Sequence, residues 1–264
     1  MKRLATSSSW QALRRSAALP LLMTFALAAG GCATVNPGPG GERASANPAD
    51  PWEGFNRSVM QFNDVVDDNL LRPLATTWRD TVPQLVRTGV GNFFGNLGDG
   101  WSAVNHLLQG KMFSGLDMGM RTLTNTFFGL GGVLDPATEM GLERRSEDFG
   151  QTLGRWGVGS GPYLILPVFG PSSVRDGAAL PLDLLGSSPL RVNDDGARVL
   201  LTGVRVVNTR AEFLSASRLL DEVALDRYSF LRDAFLARRL NQVWDGDPPE
   251  PSTPPLPPQP PLPK

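Results

Sequence analysis

The chain offers little that could carry covalent chemistry. His106 is its one histidine and Cys32 its one cysteine. A Ser-His-Asp or Cys-His arrangement would have to recruit them. The sequence holds no G-x-S-x-G nucleophile elbow and no H-E-x-x-H pair. "GVGSG", residues 157–161, lacks the G-x-G-x-x-G spacing and follows no clear strand, which argues against dinucleotide binding. One His with one Cys cannot make a typical zinc site. Acid pairs exist, Asp67–Asp68, Glu147–Asp148 and Asp194–Asp195 among them. Each falls at an expected helix end, where a carboxylate caps N–H groups or favours the positive pole of the dipole. His106, in "WSAVNHLLQG", reads as a packing or capping residue. Arg144 and Arg145 read as surface or ion-pairing residues, with a phospholipid headgroup contact as the alternative. The expectation is a protein without catalytic residues, metal or cofactor.

Cys32 has a more specific reading. It follows a basic stretch, "MKRLATSSSWQALRR", and a short apolar core, "SAALPLLMTFALAA", the pattern of a secretory signal. That core falls short of the ~20 residues a spanning helix needs. Gly30 and Gly31 precede the cysteine as in a lipobox, although position 29 is Ala where Leu is usual. An exported chain with a single Cys forms no internal disulfide, so Cys32 is expected to be acylated and to become the new N-terminus. Several acyl chains, at about 0.8 kcal/mol per buried CH₂, give a stable anchor. Ala33 follows; by analogy with lipoprotein sorting, a residue other than Asp there points to the outer membrane.

Charge balance narrows the partners. Beyond residue 31 the chain carries 21 basic and 26 acidic groups, a net of −5. A mildly acidic surface is a poor match for nucleic acid. Four segments are expected: a signal peptide, 1–31; the acylated Cys32 and a Pro/Gly/Ala tether, 32–49; a folded part, 50–245; and a proline-rich tail, 246–264, extended and without a core.

The folded part reads as mostly α. Asp50, Pro51 and Glu53 form an expected N-terminal cap. Trp52, Phe55, Val59, Phe62, Val66 and Leu70 then share one helical stripe, facing a core or lying in lipid. Further helices are expected at 71–81, 84–97, 99–109, 111–128, 146–156, 195–222 and 226–243. The glycines in "TGVGNFFGNLGDG" each cost about 1 kcal/mol in a helix. "GNFFG" and "GLDMG" have the small-xxx-small spacing that lets helices approach closely. "GVGSGPYLILPVFGPSSVRD", 157–176, and "FFGLGGVLD", 127–135, are irregular yet apolar. Irregular backbone in hydrocarbon leaves unpaired polar groups, so it is tolerated only where it borders a cavity or packs on protein.

In order, "DPWEGFNRSVMQFND", "LRPLATTWRDTVP", "VGNFFGNLGD", "NHLLQGK", "RTLTNTFFGLGGVLDPA" and "EDFGQTLGRWGVGSGPYLILPVFGPSSVRDG" resemble the MlaA/VacJ family of Gram-negative outer-membrane lipoproteins. The resemblance is strong over 50–180 and looser to 240. The tail lies outside it. It implies a ring of amphipathic helices in the membrane plane around a central amphipathic channel. Phospholipids misplaced in the outer leaflet would pass through to a periplasmic carrier, MlaC, and a trimeric porin would be a partner. On that basis Phe55, Val59, Phe62, Val66, Phe127, Phe128, Leu130, Tyr163, Leu164, Leu166, Val168 and Phe169 are expected to line the lipid path or face lipid. Two other classes stay open: a structural envelope scaffold without a channel, and a lipid hydrolase with His106 as base.

Overall fold

The computed structural model describes residues 47–187 and 194–249. Cys32, the signal segment, most of the tether and residues 250–264 of the tail lie outside the described residues. Helix α1 (Glu53–Val66) runs through a π-helical turn (Asp67–Leu71) into α2 (Arg72–Thr81). Pro73 explains the wide turn, because its ring collides with the carbonyl four residues back and it lacks an N–H. Then come α3 (Gln84–Leu108), α4 (Met112–Phe127), the single turn α5 (Pro136–Glu139) and α6 (Phe149–Arg155). An antiparallel hairpin, β1 (Tyr163–Leu166) with β2 (Gly170–Ser173), pairs Tyr163 with Ser173 and Leu166 with Gly170. The chain closes with α7 (Val174–Gly186), α8 (Asp195–Glu212), α9 (Leu214–Val223) and α10 (Arg227–Val243).

Several elements differ from the sequence reading. Residues 84–97 and 99–109 form one helix, α3, without a break at the glycines. The neighbours explain this: a Cβ at Gly89 would come within 2.9 Å of Val133, and one at Gly95 within 2.8 Å of the Arg144 guanidinium. Gly115 meets Leu107 of α3 in the same way, while Gly119 faces open space. Only one end of "GLDMG" therefore marks a helix contact. The hairpin and α7 were not anticipated, because Pro171 and Pro181 flank or interrupt their patterns. Ser173 caps α7 by accepting from the Asp176 N–H at 3.2 Å. The expected 195–222 helix divides at Phe213.

The expected cap of α1 is also corrected. Asp50 is buried and caps nothing; it accepts from Asn56 Nδ2 at 2.9 Å and from the Tyr228 hydroxyl. It thereby fastens α1 to α10. Glu53 instead pairs with Arg57 at 2.8 Å. The acid pairs divide: Asp148 and Asp194 do cap α6 and α8, whereas Asp67 sits mid-path in the π turn, held by Arg210.

Neighbouring elements close a circuit. From α1 and the π turn it runs to α2, then α8, α3, α6 and α7, and through the hairpin back to α1. The α4 helix pairs with α3, and α10 contacts α6 and β2. Two small apolar clusters lie along this path. One joins Ala75, Ala211 and Leu214; the other joins Tyr163, Ile165 and Tyr228. Much of the remaining buried set is polar, including Asn56, Asn96, Asp99, Asn105, His106, Arg121, Asn125 and Thr152. Large apolar side chains are exposed in number, Leu85, Phe113, Phe127, Phe128 and Leu130 among them. The ordinary inside–outside rule is reversed over much of the molecule.

Candidate lipid-handling site

Helix α1 turns its asparagines inward. Asn56 is fully buried and serves as a surrogate strand for β1: its Oδ1 accepts from Ile165 N–H at 2.9 Å and its Nδ2 donates to Tyr163 C=O at 3.1 Å. Two turns on, Asn63 repeats the contact at the hairpin tip. Its Nδ2 donates to Leu166 C=O at 3.0 Å, and its Oδ1 accepts from Val168 N–H at 2.7 Å. That second bond helps hold Val168 at φ +68, a conformation β-branched residues rarely adopt.

The expected lipid-facing residues consequently separate. Phe55 and Phe62 are exposed on α1, and Phe169 on the hairpin tip. Tyr163 is corrected: at 0% exposure it belongs to the core cluster with Ile165 and Tyr228. Val59 is half-buried and packs on that same cluster. Leu164 and Leu166 are half-buried on the opposite face of β1. Val66 and Val168 come together in a cavity of about 240 Å³ that also holds Asp67, Arg210 and Arg227.

Phe127, Phe128 and Leu130 stay exposed at the end of α4, continuing a stripe of Met112, Phe113, Leu116, Met120 and Leu123. Phe113 is 87% exposed. The opposite face of α4 carries Arg121, buried to 1% exposure. Its guanidinium donates to Asp99 at 3.0 Å, to Thr138 at 3.0 Å, and to Asp135 and Leu142 C=O. Asn125 adds bonds to Asp135 at 2.9 Å and from Ala137 N–H at 3.0 Å. The 128–143 loop thus rides on a polar knot, with its greasy residues turned out.

Two adjoining cavities lie between α3 and α8. One, about 350 Å³, is lined by polar groups: Asp99, Ser102, Arg144, Asp183, Arg205, Asn208 and Glu212, with Gly91, Gly95 and Gly98 opening its α3 wall. The other, about 470 Å³, is apolar, lined by Leu85, Val90, Phe93, Val133, Leu201 and Val204 among others. Phe94 lines both. Both arginines are exposed; Arg144 pairs with Asp99 at 2.9 Å, and Arg145 lies 4.0 Å from Asp117. Burial pushes the Arg205 guanidinium below its ordinary value. Burial also pushes the Asp183 carboxyl up, and hydrogen bonds from Phe149 N–H and the Trp101 indole hold it back part-way. None of Arg205, Asp183 or Glu212 stood out in the sequence. The available signal was an arginine inside the apolar run "GVRVV".

His106 is buried in α3, with Nε2 at 3.1 Å from Arg145 C=O. A family model described as MlaA lipoprotein matches residues 48–242. The chain belongs to the MlaA lipoprotein family. It is 38% identical over 200 residues to the intermembrane phospholipid transport system lipoprotein MlaA of Escherichia coli, covering 72% of this chain and 76% of that protein. The Shigella flexneri protein of the same name matches to the same extent. The Haemophilus influenzae MlaA is 31% identical over 226 residues, 84% of this chain and 88% of its own. A solved structure from work on the structural basis for maintenance of bacterial outer membrane lipid asymmetry superposes with a TM-score of 0.64. It shares 37% identity and covers 74% of this chain and 98% of that chain. The mostly helical fold and the match to the MlaA family agree, and no described helix is long and apolar enough to cross a membrane.

Proposed function

We propose that this chain is an acylated outer-membrane protein that takes misplaced phospholipids from the outer leaflet and passes them through its interior toward the periplasm. A soluble lipid carrier, MlaC, receives them, and a trimeric porin holds the protein in place. No covalent step is involved. The observation that carries the reading is the reversed distribution of polarity. Apolar side chains left outside cost free energy in water but none against acyl chains, at about 25 cal/mol per Å². Between α3 and α8, the polar cavity beside the apolar groove offers a headgroup and its tails what each requires. The family's relatives, named for phospholipid transport, support the same reading.

The test is complementation in a strain lacking its own family member. The wild-type chain should lower outer-leaflet phospholipid and restore the detergent barrier. Leu201→Glu, which places a charge in the apolar groove, should reach the membrane yet restore neither. Cys32→Ser should leave the chain without acyl groups. If the wild type fails to lower outer-leaflet phospholipid, the function is wrong; if Leu201→Glu performs equally well, the groove is not the route. Crosslinking followed by co-purification reads out the porin and the carrier.

A further inference from the structure

One ridge of α3 joins three cavities. Val90, Phe94, Gly98, Ser102 and His106 follow one another at four-residue steps, so they lie along one side of the helix. Val90 lines the apolar groove, Phe94 both the groove and the polar cavity, and Gly98 and Ser102 the polar cavity. His106 lines a third cavity of about 720 Å³, whose other walls carry Lys111, Arg145, Gln151, Arg155 and Gln242 among others. Ser146 and Glu147 line both the polar cavity and this third one. The strap of residues 143–147 is therefore the partition between them.

Residues 143–147 belong to no helix or strand, and no bond between main-chain groups ties them to another described residue. Side chains hold them instead. Ser102 Oγ donates to Glu147 C=O and accepts from Glu147 N–H, each at 3.1 Å. His106 Nε2 lies 3.1 Å from Arg145 C=O, and Asp99 pairs with Arg144. Gln109 and Lys111 hold the Glu147 carboxylate at 2.8 and 3.0 Å. Asp99, Ser102 and His106 are three and four residues apart, so one face of α3 carries these ties. A segment fixed in this way opens locally while the helices around it stay folded. Resting on the transport reading above, we propose that the third cavity is the exit of the lipid path and that residues 143–147 are the gate across it. The acyl chains lie in the apolar groove and the headgroup enters the polar cavity. It leaves when the strap lifts off Ser102 and His106. Lys111, Arg145 and Arg155 make the far side cationic in part, which suits a phosphate-bearing headgroup that leads the way out.

The test locks the strap to α3. Ser102→Cys with Ser146→Cys places two thiols on either side of the contact that Ser102 makes with the Glu147 N–H. Cys32, the chain's one cysteine, is taken up by acylation on the reading above, which leaves the new pair to bond to each other. The full-length acylated chain is assayed in the complementation strain under a mild oxidant, and thiol titration of the purified protein reports closure of the bond. The pair should oxidise, and outer-leaflet phospholipid should then stay several-fold above wild type. Reductant should return it to the level of wild type under the same reductant, at an unchanged amount of protein in the membrane; a misfolded variant would not recover. Hydrogen exchange gives a second measure. In Ser102→Ala the Glu147 amide should exchange at least about tenfold faster, the scale of one lost hydrogen bond, while the amides of α3 keep their wild-type rates. Equal transport by the oxidised and reduced pair overturns the gate while leaving transport standing. So does a pair that will not oxidise, or a Glu147 amide that exchanges no faster in Ser102→Ala. A wild-type chain that fails to lower outer-leaflet phospholipid removes the transport reading as well.

Discussion

Arg121 shows what a buried charge does in this protein. It serves Asp99, Asp135, Thr138 and a loop carbonyl at once, so its loss would leave buried Asp99 with Arg144 alone as a counter-charge and Asp135 with Asn125 and Thr138. Arg121→Met should destabilise the chain by about 3 kcal/mol, the low end of the cost of breaking a buried pair, because other donors still serve both acids. Denaturant unfolding in detergent measures this, and a loss under about 1 kcal/mol would mean that water or rearrangement replaces the guanidinium. The sequence marks Arg121 only as a charge on a helix. Asn56 and Asn63 were equally obscure there. Their spacing places them on the polar side of an amphipathic pattern, which normally faces water, yet here that side packs against the hairpin.

Elements are tied together by charge clasps. The hydrogen bonds from Arg210 pull the Asp67 carboxyl below its ordinary 3.8, against the opposing effect of partial burial. This clasp joins the π turn to α8. A depressed folded value means that its stabilisation is present above the ordinary value and is lost as pH falls through the depressed one. The melting-temperature gap between wild type and Asp67→Asn should therefore be widest near neutral pH and close below about pH 4; a gap that persists in acid would assign it to packing. The α4 stripe belongs to the same scale. The helix was expected from the sequence, but what its apolar face meets was not, since a 3.6-residue period marks such a face without saying what covers it. The helix leaves Leu116 and Leu123 uncovered. Leu116→Asp with Leu123→Asp should weaken binding of the protein to phospholipid vesicles at least about tenfold, given the cost of acids in hydrocarbon, with little change in helix content by circular dichroism. Unchanged vesicle binding would mean that this face lies outside the lipid.

At the scale of the whole molecule, the polar cavity exists because α3 has glycines where α8 comes close. A Cβ at Gly91 would meet the Glu212 carboxylate at 3.0 Å and Asn208 at 3.6 Å. Both are ends of flexible side chains, so a larger residue can be accommodated by filling the cavity. Gly91→Leu should fold and reach the membrane, but leave outer-leaflet phospholipid several-fold above wild type in the complementation assay. Normal lipid asymmetry in that variant would show that lipid does not pass beside Gly91.

What the sequence determined by itself was the kind of protein: mostly helical, stripes repeating every three to four residues, few groups for covalent chemistry, and six ordered blocks characteristic of one family. These are local or additive properties, carried by spacing and composition. Tertiary structure alone decided the direction each face points. Tyr163 went into the core and the phenylalanines of α1 did not. Arg205, Asp183 and Glu212 came from two helices into one cavity. The physical reason is that periodicity assigns side chains to faces but is blind to the medium on the other side. Which faces meet each other, and which are left to lipid, depends on the path by which the helices close their circuit.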